Sequence, residues 1–555
     1  MKAWAALCVM VALVQTFAAC AAEDPVFDVK ALTSTPLNAK VTKPSEKDGI
    51  VTEEVMFHSH MDGDKSVDIF AFFSYPKGGK NLPAFVWNQG GLGQASTYWT
   101  EFGAKRGYAT LCIDFPMPGY RSTGGYNIVS GVVLTDDPRK APIYHGAVAL
   151  LKAVSYLETR PEVDKNRIGM AGSSWGGFYT TLMAGVDPRL KAAACFFGCG
   201  ALQMGNTWWD AGGRGASTDA AYRERWRTTL DPALRLPNRD IPIAWFTGTN
   251  DTFYWMPALM GSYDAARGPK HISLLPNWNH GLTPTLDEQV FTWLDAHLKG
   301  APAFDTISPL KIAMLQDGQH KDWKATWTFD GPRPVKSAEL ILSAGDAGNW
   351  VGRFWLTRPA DIKEKTCSAT LIGCPMPYYV SGTVIDEQGF RYSTPLVRVD
   401  PKELGMPETN VLPDYDGCSP WGGFEKDQVF YLVAQAFMNP AVSNDAKEGQ
   451  QSAVLKAGAN RMHPLLFTAG VPHRFTCWMK ADKPADVALQ LNGNFDGQQK
   501  NEDKTFNVGA AWTQVSMDYT PPKALSAGLS AIVTVPKDVT VLVDCVSFRP
   551  LPAAK

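Results

Sequence analysis

The hydrophobic positions of this chain change their pattern about halfway along. Between about residues 50 and 300, short apolar runs alternate with segments whose apolar residues recur at three- and four-residue spacing. The short runs predict buried strands, and the periodic segments predict helices. Such alternation is typical of a mostly parallel sheet covered by helices on both faces. This part of the chain is therefore predicted to be an α/β domain.

Seven strands and two helices of this domain can be predicted individually. Pro142 precedes the first helix, where its missing N–H costs no hydrogen bond. The helices are predicted at Ile143–Leu157 and Leu286–Leu298, and the strands at Val67–Phe73, Ala84–Asn88, Ala109–Asp114, Arg167–Gly172, Ala192–Phe197, Ile241–Thr247 and His271–Leu275.

After Gly300 the pattern becomes that of alternating strands broken by Gly, Pro and Asp, with no long helix. This texture is typical of small β-sandwiches. Strands are predicted at Ala338–Leu342, Tyr378–Ile385, Leu396–Val399, Arg474–Lys480, Val487–Asn492, Trp512–Tyr519 and Val539–Phe548. We predict an α/β domain at 23–300, an immunoglobulin-like sandwich at 301–405 and a second all-β domain at 406–555.

Length and charge narrow the class of protein. A chain of 555 residues is too long for a single core. Its net charge of −2 argues against a nucleic-acid partner or an electrostatically bound membrane. Apart from the amino terminus, no run of about 20 apolar residues predicts a transmembrane helix.

The amino terminus predicts a signal peptide over residues 1–22. Met1-Lys2 is followed by an apolar run from Ala3 to Val14 and by small residues before Glu23. This order is typical of a secretory signal and predicts a secreted or periplasmic protein. Cys20 leaves open the alternative of a lipoprotein anchored at that cysteine.

The cysteines and histidines predict no metal or cofactor site. His58-Ser59-His60 is the only close histidine pair, and no Cys-x-x-Cys pair occurs. Cys367 and Cys374 lie close enough in sequence to close a disulfide loop, which export would permit. Buried free thiols are the alternative for the cysteines in apolar runs.

The pentapeptide Gly172-Ser173-Ser174-Trp175-Gly176 carries most of the candidate chemistry. It lies between the predicted strand Arg167–Gly172 and an apolar segment with helical spacing. Gly-x-Ser-x-Gly at such a strand-to-helix turn is a nucleophile elbow. Ser174 is the predicted nucleophile rather than Ser173, because only Ser174 has glycine two places away on both sides.

A serine nucleophile needs a base and an orienting acid. Asp251 follows a predicted strand, and His280 follows the next, which gives the chain order serine, acid, histidine. Asp251 could also be only a turn residue, since Thr-Asn-Asp favours turns. The remaining downstream histidines are predicted to be structural: His271, His297, His320, His463 and His473.

Two backbone N–H groups are needed to stabilise the oxyanion of a tetrahedral intermediate. The N–H of Trp175, next to the nucleophile, is one candidate. The second is assigned to Gly91 in the loop Gln89-Gly90-Gly91-Leu92-Gly93, where glycine permits close backbone approach. Leu92 is the alternative.

These motifs resemble those of the acetyl xylan esterase and dienelactone hydrolase branch of the α/β-hydrolases, over about residues 45 to 300. The resemblance rests on Gly172–Gly177, Gly248–Asp251 and Asn279–Gly281. Gln89 departs from it, since many relatives have the histidine of a His-Gly motif there. The last domain resembles a jelly-roll carbohydrate-binding module, through Phe475–Asp482, Trp512–Val515 and Val543–Phe548. The expected fold is therefore an α/β-hydrolase domain followed by a sandwich and a jelly roll.

The resemblance implies a secreted serine esterase that removes acyl groups from carbohydrate or another small ester. Trp209, Trp255 and Trp278 are candidate substrate contacts, although aromatic residues that only pack are an equal alternative. We expect hydrolysis to reside before residue 300 and the β-rich half to target or support it.

Two other functions remain open. A serine peptidase similar to prolyl oligopeptidases would share the motif order, but such enzymes usually carry a β-propeller ahead of the catalytic domain, and too few residues precede it here. The other alternative is a non-catalytic carbohydrate-binding protein. The intact serine, acid and histidine in the expected order argue against it.

Overall fold

The computed structural model describes residues 24–551 in part. It leaves out 43, 130–131, 211–218, 282–283, 303–305, 317–320, 346, 348–349, 352, 354, 372–376, 407–423, 425–440, 463–464, 466, 468 and 525–526. The predicted signal peptide, Cys20 and Cys374 lie outside the described residues. Among the described cysteines, Cys367 carries a free and buried thiol.

The first half of the chain alternates strands with helices, as its hydrophobic pattern predicts. The strands are β1 Lys40–Val41, β2 Ser45–Lys47, β3 Ile50–Asp62, β4 Lys65–Pro76, β5 Leu82–Asn88, β6 Ala109–Ile113, β7 Val163–Ser173, β8 Ala192–Phe196, β9 Ile243–Gly248 and β10 Lys270–Leu275. The helices are α1 Val29–Ser34, α2 Thr97–Lys105, α3 Pro142–Thr159, α4 Trp175–Val186, α5 Thr207–Asp210, α6 Ala220–Thr229, α7 Met256–Ala265 and α8 Pro284–Leu298. All seven predicted strands and both predicted helices of this region are confirmed.

These ten strands form one sheet in the order β1-β3-β4-β6-β5-β7-β8-β9-β10, with β2 paired to β3. The neighbouring strands of the run β6-β5-β7-β8-β9-β10 are parallel. The neighbouring strands of the run β1-β3-β4-β6 are antiparallel. The carboxyl ends of β7, β9 and β10 therefore lie along one edge of the sheet, where ligands of open α/β sheets bind.

Alternate residues of the central strands pack on opposite faces of this sheet. Val86 joins a hydrophobic core with α3 and α4, whereas Phe85 and Trp87 join a second core with α2 and α8. Burial on both faces explains why these strands read as nearly continuous apolar runs.

The region after Gly300 is all β in the described residues. Its first part forms one nine-stranded antiparallel sheet, in which β12 and β19 branch from the path β11-β13-β16-β15-β14-β17-β18. The strands are β11 Thr306–Ile307, β12 Lys311–Gln316, β13 Lys321–Asp330, β14 Val335–Ala344, β15 Leu356–Lys363, β16 Thr366–Thr370, β17 Tyr378–Asp386, β18 Arg391–Ser393 and β19 Val397–Val399.

The last part consists of a five-stranded and a four-stranded antiparallel sheet around a separate hydrophobic core. The strands are β20 Ala441–Ser443, β21 Ser452–Leu455, β22 Gly458–Met462, β23 His473–Ala481, β24 Ala485–Phe495, β25 Gln498–Val508, β26 Thr513–Tyr519, β27 Ala527–Val535 and β28 Val541–Pro550. Every strand predicted after Gly300 lies within or overlaps one of these observed strands.

The nine-stranded sheet shares its hydrophobic cores with the first sheet. Trp327 and Leu340 pack in the same core as Phe291 of α8, and Trp350 and Trp355 join the core on the other face. Removing the β-rich region would therefore expose apolar surfaces of the first domain to water.

Candidate active site

Ser174 stands at a sharp turn between β7 and α4. Its backbone has φ 57° and ψ −120°, a strained conformation for a residue with a side chain. A Cβ at Gly172 would lie 2.6 Å from the Cβ of Asn88, and one at Gly176 would collide with the Asn88 carbonyl. Glycine is therefore required on both sides, and the tight turn holds the serine hydroxyl above the sheet edge.

Ser174, His280 and Asp251 form one chain of hydrogen bonds. The Oγ of Ser174 lies 2.8 Å from Nε2 of His280, and Nδ1 of the same ring lies 2.9 Å from Oδ2 of Asp251. Asp251 is 1% exposed, so its carboxylate meets the imidazole out of contact with bulk water. This arrangement can pass a proton from the hydroxyl to the ring and stabilise the imidazolium that results.

The Asp251 carboxylate is fixed by the backbone that follows it. Its Oδ1 accepts hydrogen bonds from the N–H groups of Phe253 at 2.7 Å and Tyr254 at 2.8 Å. Because Oδ1 is held in this way, Oδ2 is left to face His280. The aspartate is thus both a turn residue and the partner of the histidine, which joins the two roles that the sequence left open.

Neighbouring residues fix both the backbone and the ring of His280. The Oδ1 of Asn279 accepts hydrogen bonds from the N–H of His280 at 2.7 Å and of Thr252 at 2.9 Å. The rings of Phe197 and Phe253 pack edge-on against the imidazole, with centroids 4.5 and 4.7 Å away. Phe197 directly follows β8. A bulky residue at the carboxyl end of this strand was the sequence signal that could have indicated a contact with His280.

The glycine loop after β5 packs against the turn that carries the nucleophile. A Cβ at Gly90 would lie 3.3 Å from the Ser174 Cβ, and one at Gly91 would lie 2.7 Å from Cδ1 of Trp175. The side chain of Gln89 donates to the Cys112 thiol at 3.2 Å. Leu92 has φ 66° and a largely exposed side chain. The assignment of the second oxyanion donor to Gly91 stays a prediction.

Two of the three candidate tryptophans are buried. Trp209 is 2% and Trp255 is 4% exposed, and Trp209 packs edge-on against Trp226. Their role as substrate contacts stays a prediction. Trp278 is half-buried, and its indole N–H donates to the Gly281 carbonyl at 3.0 Å, across the loop that carries His280.

The competing histidines that the structure describes lie away from this hydrogen-bond chain. His271 lies among the rings of Phe246, Trp293 and Tyr392, and burial lowers its pKa to about 3. Burial likewise lowers the pKa values of His297 and His473 to about 4. His320 and His463 lie outside the described residues.

The described residues hold no cluster of three or more His, Cys, Asp or Glu side chains suited to a metal ion. In the same part of the chain, no helix is long and apolar enough to cross a membrane.

Comparison with known proteins finds similarity to hydrolases in this part of the chain. Residues 103–289 match the sequence model of the dienelactone hydrolase family, a stretch that contains Ser174, Asp251 and His280. Dipeptidyl-peptidase 5 of Porphyromonas gingivalis is 29% identical over 244 residues, which cover 40% of this chain and 34% of that protein. An uncharacterized protein of Pseudomonas aeruginosa is 33% identical over 124 residues, 21% of this chain and 29% of that one. The chain thus spans about a third of the length of the curated relatives it matches.

Solved structures similar to this chain include two acetyl xylan esterases. The enzyme from Paenibacillus sp. R4 aligns with a TM-score of 0.42 and 21% identity, and the alignment covers 49% of this chain and 92% of the enzyme's chain. Acetyl xylan esterase 1 from Thermoanaerobacterium sp. JW/SL YS485 aligns with a TM-score of 0.39 and 15% identity. That alignment covers 48% of this chain and 90% of the esterase's chain. With the family match, the strand order and the helices on both faces, the first half of the chain is an α/β-hydrolase-like domain.

Proposed function

We propose that this protein is a serine hydrolase of carboxylic esters. The observation that carries the proposal is the hydrogen-bond chain from the Ser174 hydroxyl through His280 to the buried Asp251. The match of residues 103–289 to a hydrolase family supports it independently.

In the proposed mechanism His280 takes the proton of Ser174 as the hydroxyl oxygen attacks the ester carbonyl. The oxyanion that forms is stabilised by the N–H of Trp175, which as the first N–H of α4 has no acceptor within the helix, and by that of Gly91. His280 then gives its proton to the leaving alcohol, and an acyl group stays on Ser174. Water, activated by the same imidazole, releases the acid and restores the serine.

The substrate class we propose is an acylated carbohydrate, as in an acetyl xylan esterase. Support comes from the motif resemblance of residues 45 to 300. The rings beside the nucleophile are themselves buried: Trp175 is 4% and Trp208 is 3% exposed, and they pack on one another with centroids 5.0 Å apart. These rings therefore shape the wall behind the nucleophile and do not distinguish a sugar from another substrate.

A peptidase is the second candidate, because the sequence similarity to dipeptidyl-peptidase 5 extends over 244 residues. The same triad would cleave an amide if the site bound a peptide and protonated its leaving amine.

A substrate panel decides between the two. Acetylated xylo-oligosaccharides, p-nitrophenyl acetate and dipeptidyl p-nitroanilides should be incubated with the protein and with Ser174→Ala as the blank. We expect acetate release from the first two and no p-nitroaniline. Release of p-nitroaniline at a kcat/KM above that for the esters would establish the peptidase instead.

We further propose that residues 1–22 direct export, that 301–405 form the immunoglobulin-like sandwich and that 406–555 form a carbohydrate-binding jelly roll. The two sheets around one core in the last region support a sandwich of the latter kind. Retention of the isolated region on insoluble xylan or cellulose tests the binding role, and failure across a broad polysaccharide panel would contradict it.

A further inference from the structure

The residue before the catalytic acid contacts the nine-stranded sheet directly. Asn250 is 2% exposed, and its Nδ2 donates hydrogen bonds to the carbonyl oxygens of Val351 at 3.0 Å and Arg353 at 2.5 Å. Both acceptors belong to the connection between β14 and β15. The loop that carries Asp251 is therefore attached to residues that lie 101 and 103 positions further along the chain.

The loop that carries His280 is attached to the same connection. The Nδ2 of Asn277 donates to the Trp355 carbonyl at 2.7 Å, and the N–H of Trp355 donates to the Asn277 Oδ1 at 2.8 Å. Asn277 adopts φ 56°, a conformation that asparagine tolerates better than most residues. This reciprocal pair fixes the turn three residues before the catalytic histidine.

Thr249 joins these two attachments. Its Oγ1 donates to the Asn250 Oδ1 at 2.8 Å and accepts the N–H of Asn277 at 2.9 Å. The Asn250 N–H also donates to the Trp278 carbonyl at 3.0 Å. The two catalytic loops and residues 351, 353 and 355 thus form one hydrogen-bonded network, and buried polar networks of this kind are rigid when every member is paired.

The connection itself is held in place by its own domain. Arg353 is 4% exposed, and its Nε donates to the Ser343 Oγ at 3.1 Å while Nη2 donates to the Gly345 carbonyl at 2.7 Å. The guanidinium also lies over the ring of Trp350, 4.9 Å from its centroid. The Arg353 side chain therefore ties one of the two residues whose carbonyls Asn250 binds to the end of β14.

We infer that Thr249, Asn250 and Asn277 are positioning residues, through which the nine-stranded sheet sets the geometry of Asp251 and His280. This inference rests on the proposed function of the triad. It assigns to the β-rich domain a part in the chemistry, in addition to any targeting role.

The expected consequence is a loss of rate rather than of substrate affinity. None of the three side chains touches the Ser174 hydroxyl, so their loss should leave KM nearly unchanged. Displacement of the imidazole or the carboxylate by about 1 Å should lower kcat by roughly 10- to 100-fold, since reacting groups must be held in register.

The experiment compares four variants of the full chain. Thr249→Val removes the bridging hydroxyl at constant size, Asn250→Ala removes both donors to the connection, and Thr249→Ser restores the hydroxyl. Ser393→Ala is the matched control, because the Ser393 Oγ is a buried acceptor for the N–H of Leu274 in β10, at 3.1 Å, outside the network.

The readouts are kcat and KM for p-nitrophenyl acetate, the thermal midpoint, and the downfield proton resonance of the His280 Nδ1–H in histidine-labelled protein. We expect Thr249→Val and Asn250→Ala to lower kcat and to move or broaden that resonance, and Thr249→Ser to recover most of the rate. Ser393→Ala should lower the thermal midpoint and leave both kcat and the resonance near those of the natural protein.

A loss of thermal stability in Thr249→Val and Asn250→Ala with unchanged kcat and resonance would overturn the inference. If Thr249→Val does not fold, Asn277→Asp replaces the donor to Trp355 at constant shape and serves in its place. Should the natural protein hydrolyse no ester, the proposed function fails, while the His280 resonance still decides whether the network positions the ring.

Discussion

The Oγ of Ser174 and the Nε2 of His280 lie 2.8 Å apart although 106 residues separate them in the chain. They meet because β7 and β10 end at the same edge of the first sheet, with only β8 and β9 between them. Parallel strands thus bring together groups that are distant in sequence, and the loops after the strands complete the approach.

Replacement of Ser174 should abolish turnover, whereas replacement of its neighbour should not. Ser174→Ala removes the nucleophile and should lower kcat for p-nitrophenyl acetate by about 10⁶-fold, the usual cost of losing a triad serine. Ser173→Ala should retain substantial activity. Labelling with a fluorophosphonate should stop in the first variant only, and labelling of Ser174→Ala would contradict the assignment.

Replacement of Asp251 by asparagine should keep the fold and lower kcat by about 10⁴-fold, because an amide no longer holds the imidazole in the productive tautomer. Stopped-flow assays of the two proteins with p-nitrophenyl acetate measure the ratio of the kcat values. Inhibition by a chelator that added metal reverses would instead indicate a metal-dependent mechanism.

A chain that ends at Gly300 should fail to give active protein. Phe291 and Leu294 of α8 pack in the core that Trp327 and Leu340 complete, so truncation exposes their apolar surface. A chain that ends at Met406 keeps the nine-stranded sheet and should still cleave p-nitrophenyl acetate. Solubility, thermal unfolding and esterase activity of the two truncations measure this, and full activity of the shorter one would contradict the prediction.

Stability should fall in acid partly through His271. Burial lowers its pKa from 6.5 to about 3, so the unfolded chain binds a proton that the folded protein does not. The free energy of unfolding should therefore decrease as the pH falls from about 6.5 towards 3. This one group contributes a decrease of up to about 1.4 kcal/mol for each pH unit. His271→Phe should reduce the dependence of the free energy of unfolding on pH over that range. Equal slopes in urea titrations of both proteins would contradict this.

Much of the fold and of the candidate site was accessible from sequence because it depends on local rules. Burial on both faces requires apolar runs in β5 and β7, and the tight turn at Ser174 requires glycine at 172 and 176. The order of serine, acid and histidine after successive strands then indicated which residues meet.

The tertiary structure decided what depends on contacts between distant segments. Trp209 and Trp255 are residues of a type that often contacts substrate, and only the structure shows that packing buries both side chains. Phe197 packs against His280 only because the turns after β8 and β10 come together, and Asn279 bonds Thr252 only because the turn after β9 joins them. The attachment of Asn250 to Arg353 joins segments 103 residues apart, and no local pattern marks it. Periodicity reports which face of an element is buried, whereas the partner that buries it is set by how the elements pack.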